Sequence, residues 1–154
     1  MKIQLSLTEL LMASDIGRMR QLTALKRKLQ DKHGAQKENG WQLHIEGACG
    51  EMAAGKALGI HWEGSVCTFK RGGDVGSLQV RTRSQGHYEL IVRKDDRDED
   101  VFILVTGMAP NYEVKGWITG ADAKQERWLQ RHGGREAAFF VPTTELKSLE
   151  DIPR

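Results

Sequence analysis

Within the stretch GGDVGSLQVRTR, residues 72–83, a carboxylate, an amide and a guanidinium fall close together: Asp74, Gln79 and Arg81. In an extended strand, alternation sends Gln79, Arg81 and Arg83 to one face and Leu78, Val80 and Thr82 to the other. A ligand and a cation then point together into one cleft. That combination suits metal-dependent phosphodiester hydrolysis, in which hard oxygen donors hold Mg²⁺ or Mn²⁺ and a cation attends the phosphate. Gly72, Gly73 and Gly76 do not form a phosphate loop, because no Gly-Lys-Ser or Gly-Lys-Thr follows and a strand comes next. They serve to turn the backbone tightly beside Asp74. The plain alternative for the same residues is turn chemistry followed by a solvated strand face.

A second carboxylate must come from elsewhere in the fold. The alanine-rich stretch IEGACGEMAAGKALGI, residues 45–60, has helical character despite Gly50 and Gly55, and its small residues suit close packing against a sheet. It carries Glu46 and Glu51. At about 100° per residue the two lie roughly 140° apart, so only one can face a given metal.

Around these residues the chain divides into helices and then strands. Ser6-Leu7-Thr8-Glu9 has the spacing of a capping box and predicts a helix from Leu7. Ile16, Met19, Leu22, Leu25 and Leu29 recur at helical steps, which predicts an amphipathic helix packed on the domain through that seam and stopped near Gly34. Residues 32–40 read as a connection. Strands are expected over residues 77–83, 88–94 and 101–108, as a three-strand meander with the acidic run Asp95–Asp100 in its last turn. Residues 113–120 predict another strand, 121–133 a helix ended by Gly133, and 136–142 a last strand before a short turn or helix near 143–149. Helices, strands, helix and strand in that order point to an α/β or α+β sandwich. Residues 1–40 form an N-terminal helical extension and 41–154 the core.

These motifs, in this order, resemble the PD-(D/E)XK nuclease superfamily, and the combined run is similar to small phage-encoded members. The upstream helix with GEMAAGKALG, then GGDVG, then QVRTR match its pattern of a helical Glu, an Asp at a hairpin, and Glu or Gln, any residue, and Lys. The resemblance covers roughly residues 46–145. It implies a restriction-endonuclease-like core with a mixed central sheet flanked by helices. It assigns Glu51, rather than Glu46, as the helical ligand, with Asp74 and Gln79 completing the Mg²⁺ or Mn²⁺ site and Arg81 at the lysine position. A guanidinium stays protonated and cannot act as a general base, but it can hold a phosphate bidentately. The implied activity is a metal-dependent DNA endonuclease, and the alternative is a catalytically silent nuclease fold that binds nucleic acid or a protein. Many enzymes of this fold act as dimers, and the sequence assigns no surface to self-association.

Composition agrees with a folded domain. Of 154 residues, 39% are hydrophobic and 29% charged, which excludes disorder, and no apolar run reaches the ~20 residues of a membrane span. No secretory leader is visible, so the expected location is cytoplasmic, that of the host cell for a phage protein. The net charge of +2 is uneven: Arg18, Arg20, Lys26, Arg27, Lys28 and Lys32 face only Asp31 over residues 16–32. Of these, Arg18, Arg20, Lys26 and Arg27, with Arg83, are the candidate nucleic-acid contacts. Cys49 and Cys67 belong to no C-x-x-C pair and read as reduced, partly buried thiols. The acidic run lacks the glycine and terminal Glu of a calcium loop, the five histidines have no ligand spacing, and Trp117 and Trp128 read as core.

Overall fold

A computed structural model describes residues 1–27, 40–66 and 72–153. Gly34, the connection at 32–40, Leu29, Lys28, Lys32 and Cys67 fall wholly or mainly outside them. The chain forms an α+β fold with two sheets. Strands β1 (Lys2–Gln4), β2 (Leu78–Arg83), β4 (Val101–Met108) and β5 (Asn111–Thr119) make a mixed sheet in the order β1-β5-β4-β2. Strands β3 (Leu90–Arg93), β6 (Leu129–Gln130) and β7 (Ala138–Val141) make an antiparallel sheet in the order β3-β7-β6. Helices α1 (Leu7–Lys26) and α2 (Gly40–Leu58) pack together, and α2 lies on the first sheet.

Two hydrophobic clusters hold these layers. Ala48, Ala53 and Ala54 of α2 pack with Leu78, Val80, Ile103 and Val105, while Phe102 and Leu104 of the same sheet meet Leu90, Val92 and Val141 of the second. Alternation along β4 is therefore satisfied on both faces, which is why this strand reads as a nearly continuous apolar run.

The capping box forms as its spacing predicts: the Ser6 backbone N–H donates to Glu9 Oε2 at 2.6 Å, and Glu9 N–H donates to Ser6 Oγ at 3.2 Å. Of the expected apolar seam of α1, Ile16 packs against the core and the described residues after it do not. Ala13, Gly17 and Gln21 are the buried residues, while Met19, Leu22 and Leu25 are exposed. The reason is proximity: a Cβ on Gly17 would sit 2.5 Å from the Cα of Ile45, so only small residues fit between the helices. Nor do the first 27 residues stand apart from the core. β1 pairs with β5 antiparallel, and the Met1 ammonium donates to the Val114 carbonyl at 2.6 Å.

The expected meander is also replaced. β2 pairs with β4 in parallel, and β3 crosses to the second sheet, where Leu90 and Val92 are buried. The acidic turn helps fix that crossover, because Asp96 accepts from the Arg93 N–H at 2.7 Å and from Arg81, and Asp98 pairs with Lys124 at 2.7 Å. The predicted helix over 121–133 reduces to α3 (Gly120–Ala123), one 3-10 turn at Glu126–Trp128 and then β6. Lys124 leaves helical geometry with its Nζ bonded to the Asp96 carbonyl and Asp98, and Trp128 turns into the second core. No helix among the described residues is long and apolar enough to cross a membrane.

Candidate functional site

β2 is an edge strand, and the turn before it folds Asp74 back along that edge. Asp74 N–H donates to the Leu78 carbonyl at 2.7 Å, Val75 bridges Leu78, and Gly76 takes a positive φ of 59° that favours glycine. The Asp74 side chain then substitutes for a missing neighbour strand: Oδ2 accepts from the Val80 N–H at 2.8 Å. Its other oxygen has no hydrogen-bond partner among the described residues. The glycine-rich approach to β2 thus has a concrete purpose, the placement of one carboxylate.

Glu51 approaches from α2. Gly50 permits it: a Cβ there would lie 1.9 Å from Thr82 Oγ1, so α2 sits against β2 only because that residue has no side chain. Glu51 is 7% exposed and carries three donors. Arg20 of α1 donates to both oxygens, Nη1 to Oε1 at 2.6 Å and Nη2 to Oε2 at 2.8 Å, and Trp62 Nε1 donates to Oε2 at 2.9 Å. Arg20 Nε is anchored in turn on the Ser65 carbonyl at 2.9 Å. Burial opposes the Arg20 charge, but the bidentate bond to Glu51 and the fields of Glu51 and Asp74 outweigh it and hold the guanidinium more firmly protonated.

Asp74 has the opposite balance. Burial, then the neighbouring Glu51 charge, push its carboxyl above the ordinary range, and the Val80 N–H, Arg81 and Arg20 offset this only in part. A raised native pKa favours the folded state below the unfolded pKa, and that contribution is lost as pH rises through the folded value. At neutral pH the ionised carboxylate therefore works against stability. Asp74→Asn keeps an acceptor for Val80 and removes the charge, so it is expected to melt at a higher temperature than wild type at pH 7, with the gap closing as pH falls toward 4. Melting curves across that range check this. An Asn variant less stable at pH 7 would contradict it.

Gln79 and Arg81 lie on the other face of β2, toward the second sheet. Gln79 Nε2 makes a long bond of 3.4 Å to the Gly72 carbonyl, which leaves its amide oxygen facing no donor among the described residues. Arg81 contacts both oxygens of Asp96 at 3.0 Å and stacks 4.9 Å from the Phe102 ring centre. The structure thus gathers Glu51, Asp74 and Arg20 around one edge, with Gln79 and Arg81 bordering Asp74. Among the described residues no three His, Cys, Asp or Glu side chains cluster as a metal site, so the acids here number two. Asp74 and Gln79 offer oxygens without donors, and Glu51, with about four lone-pair positions and three N–H donors, keeps one. Glu46 is bonded to Gln42 at 2.9 Å on the exposed side of α2 and is not part of the site.

The basic residues of α1 do not form one contact surface. Arg20 turns inward to Glu51, Arg18 pairs with Asp15 at 3.0 Å, and Lys26 and Arg27 are exposed at the helix end. Arg83 instead belongs to a cleft of about 500 Å³ with His87, Tyr88, Arg93, His132 and Arg135. Its guanidinium lies over the Tyr88 ring at 4.8 Å. Burial, and then the like charges of Arg93 and Arg135, lower the Arg83 pKa against the pull of Tyr88 and Glu89. This cleft has the cations and rings that phosphates and bases use. Cys49 is free and buried, and burial raises its thiol pKa.

Sequence reasoning missed Arg20's inward role, Trp62 and the arginine cleft. Arg20 carried a signal, since it flanks the small face of Ala13 and Gly17 on the helical wheel. Trp62 carried none. No family model matches this chain, and no curated protein or solved structure matches it either.

Proposed function

We propose that this chain is a metal-dependent nuclease on the PD-(D/E)XK plan, with DNA as its substrate. One observation carries the reading: a half-buried Asp74 beside Glu51, its carboxyl pushed above the ordinary range and one oxygen left open at a sheet edge. Arg20 and Arg81 offset the two neighbouring carboxylate charges only in part at Asp74, and functional sites are where such pairs accumulate. Asp74, Gln79 and Glu51 are the residues that would hold Mg²⁺ or Mn²⁺. When bound, the ion would supply an activated water and neutralise phosphate charge. Arg81 serves as a phosphate clamp, exchanging Asp96, whose two oxygens it contacts through Nη2 alone, for a phosphate that its fork can bind bidentately. Arg83 and its cleft extend that positive surface along the substrate strand.

The test is incubation of wild type and Asp74→Ala with supercoiled plasmid and branched DNA, with Mn²⁺ or EDTA. Nicking by wild type in Mn²⁺, absent in EDTA and in the folded variant, is the expected result. Full nicking by Asp74→Ala overturns the proposal.

A second reading, a nuclease fold that works by binding alone, is favoured by the three donors that Arg20 and Trp62 place on Glu51 and by the Arg81–Asp96 pair. It predicts no nicking, with DNA affinity that falls with salt and ignores Mg²⁺ and EDTA.

A further inference from the structure

Most of the large apolar residues of α1 lie on the side of the helix away from the core, while Leu10 and Ile16 pack against it. Leu7, Leu11, Met12, Met19, Leu22 and Leu25 are between 50% and 75% exposed, while the face toward α2 is built from Ala13, Gly17 and Gln21. At about 100° per residue these six residues share an arc of roughly 140°. The arc is broken only by Asp15 and Arg18 at its middle and by Thr8 and Lys26 near its ends. Six such side chains on one helix present roughly 600 Å² of surface, above the scatter of isolated exposed apolar residues and close to the ~800 Å² per partner of a standard interface.

Part of the arc is palindromic, with Met12 and Met19 outside the symmetry because their mirror positions are Gln21 and Ser14. Counted from the midpoint between Ile16 and Gly17, Asp15 mirrors Arg18, Leu11 mirrors Leu22, and Leu7 falls within one residue of the mirror of Leu25. A two-fold axis through that midpoint brings an antiparallel copy of α1 onto the first, in the isologous manner in which residue i meets j and j meets i. Leucine then meets leucine, and each Asp15 meets the other copy's Arg18. A parallel pairing would instead set Asp15 against Asp15. Asp15 and Arg18 are joined within the helix at 3.0 Å and are both exposed, so their charges are available to a partner.

We infer that this face of α1 is the contact surface of a homodimer, formed by antiparallel packing of two α1 helices around the Asp15–Arg18 pair. Arg20, which holds Glu51, points away from the arc, so dimerisation leaves both carboxylate sites uncovered. The inference is independent of the proposed chemistry and stands whether or not the site cleaves DNA.

Sedimentation equilibrium of the full chain tests it. Wild type should approach twice the 17.3 kDa chain mass with rising concentration. Leu11→Asp/Leu22→Asp should remain monomeric with unchanged circular dichroism. Asp15→Arg and Arg18→Asp should each dimerise about tenfold more weakly alone, since two like-charge contacts replace two ion pairs, and an equimolar mixture of the two should regain wild-type association. The mixture cannot be rescued by any bond within one helix. A wild type that stays monomeric at all concentrations, a dimer indifferent to the leucine changes, or a mixture no tighter than its components would overturn the inference.

Discussion

Replacing Arg20 with alanine is expected to destabilise the protein by about 3–5 kcal/mol, the loss that follows when one partner of a buried ion pair is removed. Glu51 is 7% exposed, and two of its three donors come from Arg20. Without that guanidinium the buried carboxylate keeps only the Trp62 Nε1 donor and loses its countercharge. The pair also joins α1 to α2 through a contact 31 residues apart in sequence, beside a helix interface that otherwise relies on small residues. Urea denaturation of wild type and Arg20→Ala measures the difference. The double variant Arg20→Met/Glu51→Met should recover much of it, because well-packed apolar replacements for a buried pair are often neutral or stabilising. A loss below about 1 kcal/mol in Arg20→Ala would mean that the pair behaves like an exposed one.

Gly50→Ala is expected to reverse the usual helical preference. In a helix interior alanine is favoured over glycine by about 0.8–1.0 kcal/mol, so an unconstrained site would be stabilised. Here the new Cβ meets Thr82, with Oγ1 at 1.9 Å and Cγ2 at 2.7 Å. A β-branched side chain in a strand has little rotamer freedom with which to yield. Helix α2 must therefore move off β2, at a cost of about 1–3 kcal/mol, and Glu51 moves with it. Denaturation of Gly50→Ala, Thr82→Ala and the double variant should show a coupling in which Thr82→Ala recovers part of the loss. A more stable Gly50→Ala would show that α2 is not held as close to β2 as this geometry requires.

How much of this was legible in the sequence depended on whether the information was local. The Ser6–Glu9 capping box is a four-residue rule and formed as read, and the period-two pattern of SLQVRTR, residues 77–83, placed β2 to within one residue and gave its faces. Strand pairing is not local. Nothing in LQVRTR says that its neighbour is parallel β4 and not β3, and three residues of β1 are too few to show any period. Helical periodicity on α1 was real but assigned to the wrong side, because a close helix pair selects alanine and glycine and releases its leucines to the surface. The run 121–133 has helical composition, yet Lys124 is drawn to Asp96 and Asp98 and Trp128 to the second core, so tertiary contacts outweigh propensity. Of the site, Asp74 was readable from its glycine turn and strand, while Glu51 needed the resemblance to be preferred over Glu46. The Arg20 clamp required a contact between two helices that no single stretch encodes.

In the function proposed above, Asp74 and Glu51 together hold a divalent cation. Calorimetric titration of Mn²⁺ into wild type and Asp74→Ala, with folding of both verified by circular dichroism, tests it most directly. Saturable binding by wild type that vanishes in the variant is the predicted result. Equal binding by both proteins, or none by wild type, would contradict it.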